Sequence, residues 1–332
     1  MYGLLYFVVI APLAGGCDKC VTLNSKPGAS LHASFSHPKP RQSPLSNTLV
    51  VFLNGLMMPS AAWVESVNHL LNLRKDSGQP TPALLLYDRY GQGKSDSDPS
   101  DARDSPYGHD ARTVISDLHQ LLTQVSHEEL GRRLEDLRLV LVCNSIGCAF
   151  ARLYAAEHPG RVAAYLFLDS MMANTDFVSI FPDPDDQGFD EGRLPEDITT
   201  DDLRHARAKF QELFHPTVPN PERLDRRNLR ELLPHANRPG LPNVTKDKPP
   251  LLTVVGHDWD EFAAQCEQGS LSVPRAVINT YLNPAWAVYN EGLTRLVPAE
   301  TKVKIARGCG HFIQKDDPAF VAAELSGILN EL

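Results

Sequence analysis

An apolar run is followed at once by a small polar turn in Leu139-Val140-Leu141-Val142-Cys143-Asn144-Ser145-Ile146-Gly147. The run is typical of a buried parallel strand, and residues 149–158 after the turn have the apolar spacing of a helix. A serine between a strand and a helix has its hydroxyl pushed above the sheet, at the positive end of the helix dipole. Ser145 is therefore predicted to be a nucleophile. Gly147 matches the G-x-S-x-G pattern of such turns, and Cys143 departs from it.

A second candidate lies near the C-terminus, in the glycine-rich loop Arg307-Gly308-Cys309-Gly310-His311-Phe312. Residues 303–306 before the loop predict a short strand, and Pro318 after it predicts the start of a closing amphipathic helix. A histidine on a loop after the last strand can reach a serine at such a turn. His311 is therefore the expected general base, in the chain order serine, acid, histidine.

With these motifs the chain resembles the α/β-hydrolase superfamily from about residue 46 onward. Leu49-Val50-Val51-Phe52-Leu53-Asn54-Gly55-Leu56 is similar to the family's strand and oxyanion loop, with Asn54 in place of the usual histidine. Asp88-Arg89-Tyr90-Gly91-Gln92-Gly93-Lys94-Ser95 is similar to its D-x-x-G-x-G-x-S turn. The resemblance implies an α/β-hydrolase fold, a mostly parallel central sheet flanked by helices. It also implies that the backbone N–H groups of Leu56 and Ile146 form the oxyanion hole.

The acid of the triad is open between three aspartates. The family usually places it in the loop after the strand that ends at Gly256, and this chain reads Gly256-His257-Asp258-Trp259-Asp260 there. We expect Asp258 to be the acid, with Asp260 as an alternative in the same loop. Some relatives use an acid after the preceding strand, which would be Asp169.

An insertion of about eighty residues separates Asp169 from Pro249, which is long for a simple connection. Apolar spacing predicts helices over 201–214 and 221–233. In the superfamily an insertion here forms a helical cap over the active site, and a cap excludes water and shapes the pocket. The expected organisation is a first core part at 1–170, the cap insertion at 171–248 and a second core part at 249–332.

The expected function is a serine hydrolase that cleaves an ester, thioester or related carbonyl substrate through an acyl-enzyme. The substrate is expected to be a small, apolar molecule. The resemblance to uncharacterised fungal hydrolases suggests a polyketide-type natural-product intermediate. The alternatives are an acyltransferase or carbon–carbon bond hydrolase on the same triad, and a catalytically silent binding member of the fold. No cofactor and no metal are expected.

Composition agrees with a globular enzyme. The 332 residues are 42% hydrophobic, and the net charge of −9 argues against a nucleic-acid partner, because such a partner needs a basic patch. The apolar residues 4–17 are too short to span a bilayer as a helix, so no integral membrane span is expected. They also lack a basic residue in front, which favours a cytoplasmic location over a cleaved secretion signal.

Overall fold

The computed structural model describes residues 16–332, in which an eight-stranded sheet has the order β1-β2-β4-β3-β5-β6-β7-β8. β1 and β2 pair antiparallel, β2 pairs antiparallel with β4, and the remaining pairs are parallel. The strands are β1 (Cys17–Thr22), β2 (Ser30–Ser36), β3 (Thr48–Leu53), β4 (Ala83–Tyr87), β5 (Arg138–Ser145), β6 (Val162–Ser170), β7 (Leu251–His257) and β8 (Lys304–Ala306).

Helices connect the strands and cover both faces of the sheet. The α-helices are α1 (Val64–Asp76), α2 (Ala111–Leu130), α3 (Ile146–Glu157), α4 (Thr200–Leu213), α5 (Leu229–Leu232), α6 (Trp259–Gln268), α7 (Arg275–Val277), α8 (Asn283–Thr294), α9 (Ile313–Asp316) and α10 (Pro318–Asn330). Short 3₁₀ segments occupy Ser60–Trp63, Leu134–Asp136 and Glu191–Arg193, and a π-helical turn at Ile278–Leu282 joins α7 to α8. The predicted α/β architecture is thus confirmed. Along the described residues, no helix is long and apolar enough to cross a membrane.

The strands are apolar on both sides, because each side packs against a separate core. In β3, Val51 faces the core formed with α2, α3 and α8, whereas its neighbours Val50 and Phe52 face the core formed with α1 and α10. This alternation follows from the two-residue repeat of a strand. The near-continuous apolar runs in the sequence are the result.

The closing helix lies where the sequence predicts it. The Asp317 side chain accepts a hydrogen bond from the Phe320 N–H (2.9 Å) and caps α10, whose first residue is Pro318. Two features differ from expectation. β1 and β2 were not predicted, and of the helix predicted over 221–233 only Leu229–Leu232 is helical. Most of the apolar N-terminal segment lies outside the described residues, so the cytoplasmic location stays a prediction.

Gly147 lets the start of α3 approach the end of β3. A Cβ atom added there would overlap the carbonyl oxygen of Leu53 and lie 3.1 Å from that of Asn54. We expect Gly147→Ala to lower the free energy of unfolding by about 2 kcal/mol, as overpacking does. Urea denaturation measures this value.

Gly327→Ala is the matched control, because Gly327 is an exposed position of α10 with open space around its added Cβ. It should raise the free energy of unfolding by up to about 1 kcal/mol, the helix propensity difference between glycine and alanine. Equal effects of the two substitutions would show that the close approach at Gly147 is unimportant.

Candidate active site

Ser145 occupies the last position of β5, directly before α3 begins at Ile146. Its backbone has φ 55° and ψ −123°, a left-handed conformation that costs free energy in a residue other than glycine. Ser145 is 8% exposed, so its hydroxyl lies at the edge of the buried region. The local geometry is that of a strained strand–turn–helix elbow, as the sequence predicts. Strain of this kind persists only where the surroundings enforce it.

Cys143, the residue that departs from the usual glycine, is fully buried in the core beneath the turn. Burial raises the pKa of its thiol well above the ordinary value, so it stays a neutral packing group. The Cys148 thiol donates a hydrogen bond to the Cys143 carbonyl oxygen (3.5 Å). A small apolar side chain is therefore accommodated where the motif usually has none.

Asn144 connects the elbow to two other parts of the site. Its Nδ2 donates to the Leu168 carbonyl oxygen (3.0 Å) at the end of β6 and to the His311 carbonyl oxygen (3.0 Å) in the C-terminal loop. Its Oδ1 accepts a hydrogen bond from Gln314 Nε2 (3.2 Å). Asn144 is fully buried, so each bond is shielded from competing water. One side chain thereby fixes the loop of His311 beside Ser145.

The carboxylate that contacts His311 belongs to Asp169. His311 Nδ1 lies 2.6 Å from Asp169 Oδ2, a distance typical of a charge-assisted hydrogen bond. Asp169 follows Leu168 near the end of β6, and the next residue, Ser170, is in register with Ser145 on β5. Asp169 and His311 are therefore in direct contact, and Ser145 lies on the strand next to that of Asp169.

The expectation that Asp258 is the partner of His311 is corrected by this geometry. Asp258 caps α6, because its carboxylate accepts hydrogen bonds from the backbone N–H groups of Asp260 (3.1 Å) and Gly308 (3.2 Å). The hydrogen bond from Gly308 is the main reason that the pKa of Asp258 is lowered. Asp260, the other candidate in that loop, is exposed in the first turn of α6. The alternative Asp169 is the residue that the structure brings to His311.

Asp169 is fully buried and charged. Burial favours the neutral carboxyl, but the charges and hydrogen bonds of His257 and His311 outweigh it and lower the pKa of Asp169 to about 2. Its backbone φ of 43° is a second strained position at the site. A carboxylate that stays ionised at neutral pH can hold His311 in one tautomer and stabilise its protonated form.

The loop after β3 lies against the elbow. A Cβ atom added at Gly55 would lie 3.4 Å from Ser145 Cβ and 3.0 Å from Asn144 Oδ1, so the backbone at Gly55 passes directly over the turn. Half-buried Leu56 follows in this loop, and buried Ile146 is the first residue of α3. The N–H groups of the first helical turn have no partners within the helix.

Asn54, which stands in place of the family's histidine, is buried and uses both ends of its amide. Its Nδ2 donates to the Tyr87 carbonyl oxygen (2.8 Å) and to Gln92 Oε1 (2.9 Å). Its Oδ1 accepts a hydrogen bond from Trp63 Nε1 (2.8 Å). Asn54 therefore ties the loop after β3 to the turn after β4 and to the helix that follows the loop.

Glu222, from the insertion between β6 and β7, binds the loop after β3. The sequence did not single it out. Its carboxylate accepts hydrogen bonds from Arg89 Nη2 (3.0 Å), Gln92 Nε2 (2.9 Å) and the backbone N–H of Met57. Arg89 in turn donates to the carbonyl oxygens of Asn54 (2.8 Å) and Gly55 (3.1 Å). Glu222 is 2% exposed, so this is a buried ion pair in which both carboxylate oxygens and both terminal guanidinium nitrogens of Arg89 have partners.

Aromatic side chains lie next to His311. The ring of Trp286, on α8, packs against His311 with centroids 5.3 Å apart, and its Nε1 donates to the Ser170 carbonyl oxygen (2.7 Å). Phe177, from the insertion, packs edge-on against Trp286 at 6.0 Å. Met172 is also buried near the end of β6. Tyr289 is a core residue whose hydroxyl accepts hydrogen bonds from Arg152 and from the backbone of Ala173.

A separate cluster of Asp98, Asp101 and His109 has ligand atoms close enough to hold a cation. The ammonium of Lys26 already lies there, 2.5 Å from Asp98 Oδ2 and 2.6 Å from Asp117 Oδ2. The cluster therefore joins the N-terminal hairpin to α2 through buried ion pairs, and we give it a structural role.

The sequence model of the alpha/beta hydrolase family matches residues 50–324. No curated protein matches this sequence. Among solved structures, an epoxide hydrolase from Vigna radiata aligns with a TM-score of 0.56 and 14% identity, over 96% of this chain and 100% of the other. A putative lipase from Acinetobacter baumannii aligns with a TM-score of 0.52 and 16% identity, over 96% of this chain and 92% of the other.

This chain therefore belongs to the alpha/beta hydrolase family. At these identities the likeness to the solved structures shows the shared fold alone.

The ion pair of Glu222 yields a prediction about stability. Glu222→Gln leaves the buried Arg89 guanidinium without its counter-charge, so the free energy of unfolding should fall by about 3 kcal/mol. Urea denaturation of the two proteins measures the difference. Glu267→Gln is the control, because it breaks an ion pair of similar length (2.8 Å, to Arg275) that is exposed to solvent. It should cost less than about 1 kcal/mol, and equal losses would contradict the analysis.

The lowered pKa of Asp169 yields a prediction about pH. Because the pKa in the folded protein is about 2 and the ordinary value is 3.8, the charged Asp169 stabilises the fold at neutral pH, and this contribution is lost as pH falls through that interval. The stability difference between the wild type and Asp169→Asn should therefore shrink as the pH is lowered from about 5 towards 2. Urea titrations at each pH test this, and a constant difference would contradict it.

Proposed function

We propose that this alpha/beta hydrolase is a serine hydrolase that cleaves an ester, thioester or related carbonyl substrate through an acyl-enzyme. One observation carries the proposal. A strained Ser145 at the elbow shares the carboxyl end of the sheet with a His311–Asp169 pair joined at 2.6 Å. In this proposal Ser145 is the nucleophile, His311 is the base and Asp169 is the acid that orients it, as in a catalytic triad.

In the proposed cycle, His311 removes the proton of the Ser145 hydroxyl while Oγ attacks the carbonyl carbon. The backbone N–H groups of Leu56 and Ile146 hold the oxyanion of the tetrahedral intermediate. His311 then gives its proton to the leaving group, and the acyl-enzyme forms. Water then attacks the acyl-enzyme while His311 removes its proton, and His311 gives that proton to Ser145 Oγ as the C–Oγ bond breaks and the acid is released. Asp169 keeps the imidazole oriented and balances its charge throughout.

The residue at the elbow separates this reaction from epoxide opening. Relatives that open epoxides use an aspartate there, whose carboxylate attacks carbon directly, whereas Ser145 needs a base to become a nucleophile. A serine with a neighbouring histidine suits acyl transfer. We therefore do not extend the activity of the Vigna radiata enzyme to this chain.

We propose further that residues 171–248 act as a cap and that the substrate is a small, apolar carbonyl compound. Support for the cap comes from Phe177, which packs on Trp286, and from Glu222, which contacts the loop of Leu56 through Met57. Support for an apolar substrate comes from the ring of Trp286 against His311 and the ring of Phe177 against Trp286. A role in natural-product metabolism remains a prediction that rests on the sequence resemblance.

Labelling with a fluorophosphonate probe tests the nucleophile. We expect the wild type to be labelled, and Ser145→Ala and His311→Ala to lose labelling, because the first lacks the nucleophile and the second lacks its base. Each variant must first give the far-UV circular dichroism spectrum of the wild type. Labelling that persists in Ser145→Ala would overturn the proposal. An added alcohol or amine that yields mainly a transfer product would indicate an acyltransferase instead.

A comparison of two aspartate variants tests the acid. Asp169→Asn should lower kcat for a p-nitrophenyl ester by about 10³- to 10⁴-fold, because His311 loses its orienting charge. Asp258→Asn should change kcat by less than about fivefold, because Asp258 caps α6 and does not contact His311. The reverse order of effects would assign the acid to Asp258.

A further inference from the structure

Asp169 has a second histidine partner that the triad does not require. One carboxylate oxygen, Oδ2, faces His311, and the other, Oδ1, lies 2.9 Å from Nδ1 of His257. The backbone N–H of His257 also donates to Oδ1 (3.3 Å). His257 is the last residue of β7 and is 3% exposed. The carboxylate is therefore held between two imidazoles, one on each oxygen.

The other ring nitrogen of His257 faces Asn283. Nε2 of His257 lies 3.0 Å from Oδ1 of Asn283, which is fully buried. The amide of Asn283 cannot be turned round, because its Nδ2 donates to the Trp259 carbonyl oxygen (3.2 Å), and a carbonyl only accepts. Nδ2 also donates to Asn279 Oδ1 (2.7 Å). Asn283 directly follows the π-helical turn that contains Asn279, and such turns are frequent at functional sites.

Both ring nitrogens of His257 consequently face oxygen atoms that can only accept. A neutral imidazole has one donor and one acceptor nitrogen, so it would set one lone pair against an oxygen lone pair in a buried site. An imidazolium donates from both nitrogens and satisfies Asp169 and Asn283 together.

We propose that His257 is a positioning residue for the proposed catalytic triad, and that it is a buried imidazolium which orients Asp169 towards His311. The proposal rests on the proposed function where it concerns catalysis. The inference that His257 is protonated rests on its hydrogen bonds and does not depend on the proposed function.

The groups that face His257 come from several elements and include one carboxylate in direct contact. They are Asp169 from β6, the aspartate's other partner His311, Asp258 at the start of α6, and the neutral side chains of Asn283, Phe262 and Trp286. Burial favours the neutral form, but the attraction of Asp169 and the hydrogen bonds to Asp169 and Asn283 raise the pKa of His257 above its usual value.

Phe262 contributes as well. Its ring lies 4.2 Å from that of His257, at an interplanar angle of 30°. An aromatic face at this distance attracts a cation.

The proposal predicts how His257 affects catalysis. A cation that shares Asp169 with His311 disfavours protonation of His311, because like charges repel. The acid limb of kcat/KM, which reports the protonation of the free base, then lies at lower pH than it would with Asp169 alone. The second histidine thereby fixes the carboxylate that orients the proposed base.

Nitrogen NMR of ¹⁵N-histidine-labelled protein tests the charge without any activity. At about pH 7, both ring nitrogens of His257 should carry protons, whereas a neutral histidine shows one protonated and one unprotonated nitrogen. The signals that disappear in His257→Asn identify the residue. An unprotonated ring nitrogen on His257 at this pH would overturn the proposal, whether or not the chain is a serine hydrolase.

Kinetics with a p-nitrophenyl ester test the positioning. His257→Leu removes both donors and should lower kcat at least tenfold with little change in KM. His257→Asn keeps an N–H near the position of Nδ1 but no charge. It should recover most of this kcat, and its acid limb should move up by about one pH unit. His127→Asn, at an exposed position of α2, is the control and should match the wild type.

Each kinetic outcome has a separate meaning. A pH profile of His257→Asn identical to that of the wild type would overturn the electrostatic role, and a wild-type kcat in His257→Leu would overturn the positioning role. A folded wild type that neither reacts with the ester nor binds a fluorophosphonate would contradict the proposed function. The NMR result would then still decide whether His257 is a cation.

Discussion

The candidate site depends on the amide of Asn144. Its Nδ2 donates hydrogen bonds to the carbonyl oxygens of Leu168 and His311. Leu168 directly precedes Asp169, and His311 is the proposed base. Because Asn144 is also the neighbour of Ser145, one buried side chain fixes the relative positions of three segments that are far apart in sequence. A hydrogen-bonded amide in a dry environment is a stiff link, since breaking it leaves polar groups unsatisfied.

Buried charge surrounds this link in two balanced groups. Asp169 has a histidine on each carboxylate oxygen, and Glu222 is paired with Arg89, while backbone N–H groups and Gln92 donate to the remaining lone pairs. The backbone is strained at Ser145 and at Asp169 itself. Such strain is maintained only by neighbours that allow no relaxation, and the paired charges provide them. The result is a site whose donors are oriented before a substrate arrives, which is how electrostatic catalysis works.

The sequence predicted those features of the fold and the candidate site that depend on short local motifs. The positions of Ser145 at the elbow and of His311 in the C-terminal loop could be predicted because each lies in a short motif beside a recognisable strand, and the fold followed from those motifs. The carboxylate that contacts His311 was misplaced because proximity to His311 is decided by the spacing of β6 and β7, which no local pattern encodes. A usable signal was present, since Asp169 directly follows an apolar strand. Glu222 was missed because residues 221–228 are stabilised by contacts with distant loops, whereas their spacing indicated a helix.

The bond between Glu222 and the loop after β3 has a consequence for how the molecule can open. The insertion is not free to swing away as one piece, because lifting Glu222 would release the loop that carries Leu56. The backbone at Gly91 adds to this restraint, since an added Cβ there would lie 2.6 Å from the Glu222 carbonyl oxygen. Glu222 is thus a fixed anchor of the insertion on the loop after β3. An exchange of this insertion between related hydrolases would succeed only where the graft brings its own carboxylate to Arg89.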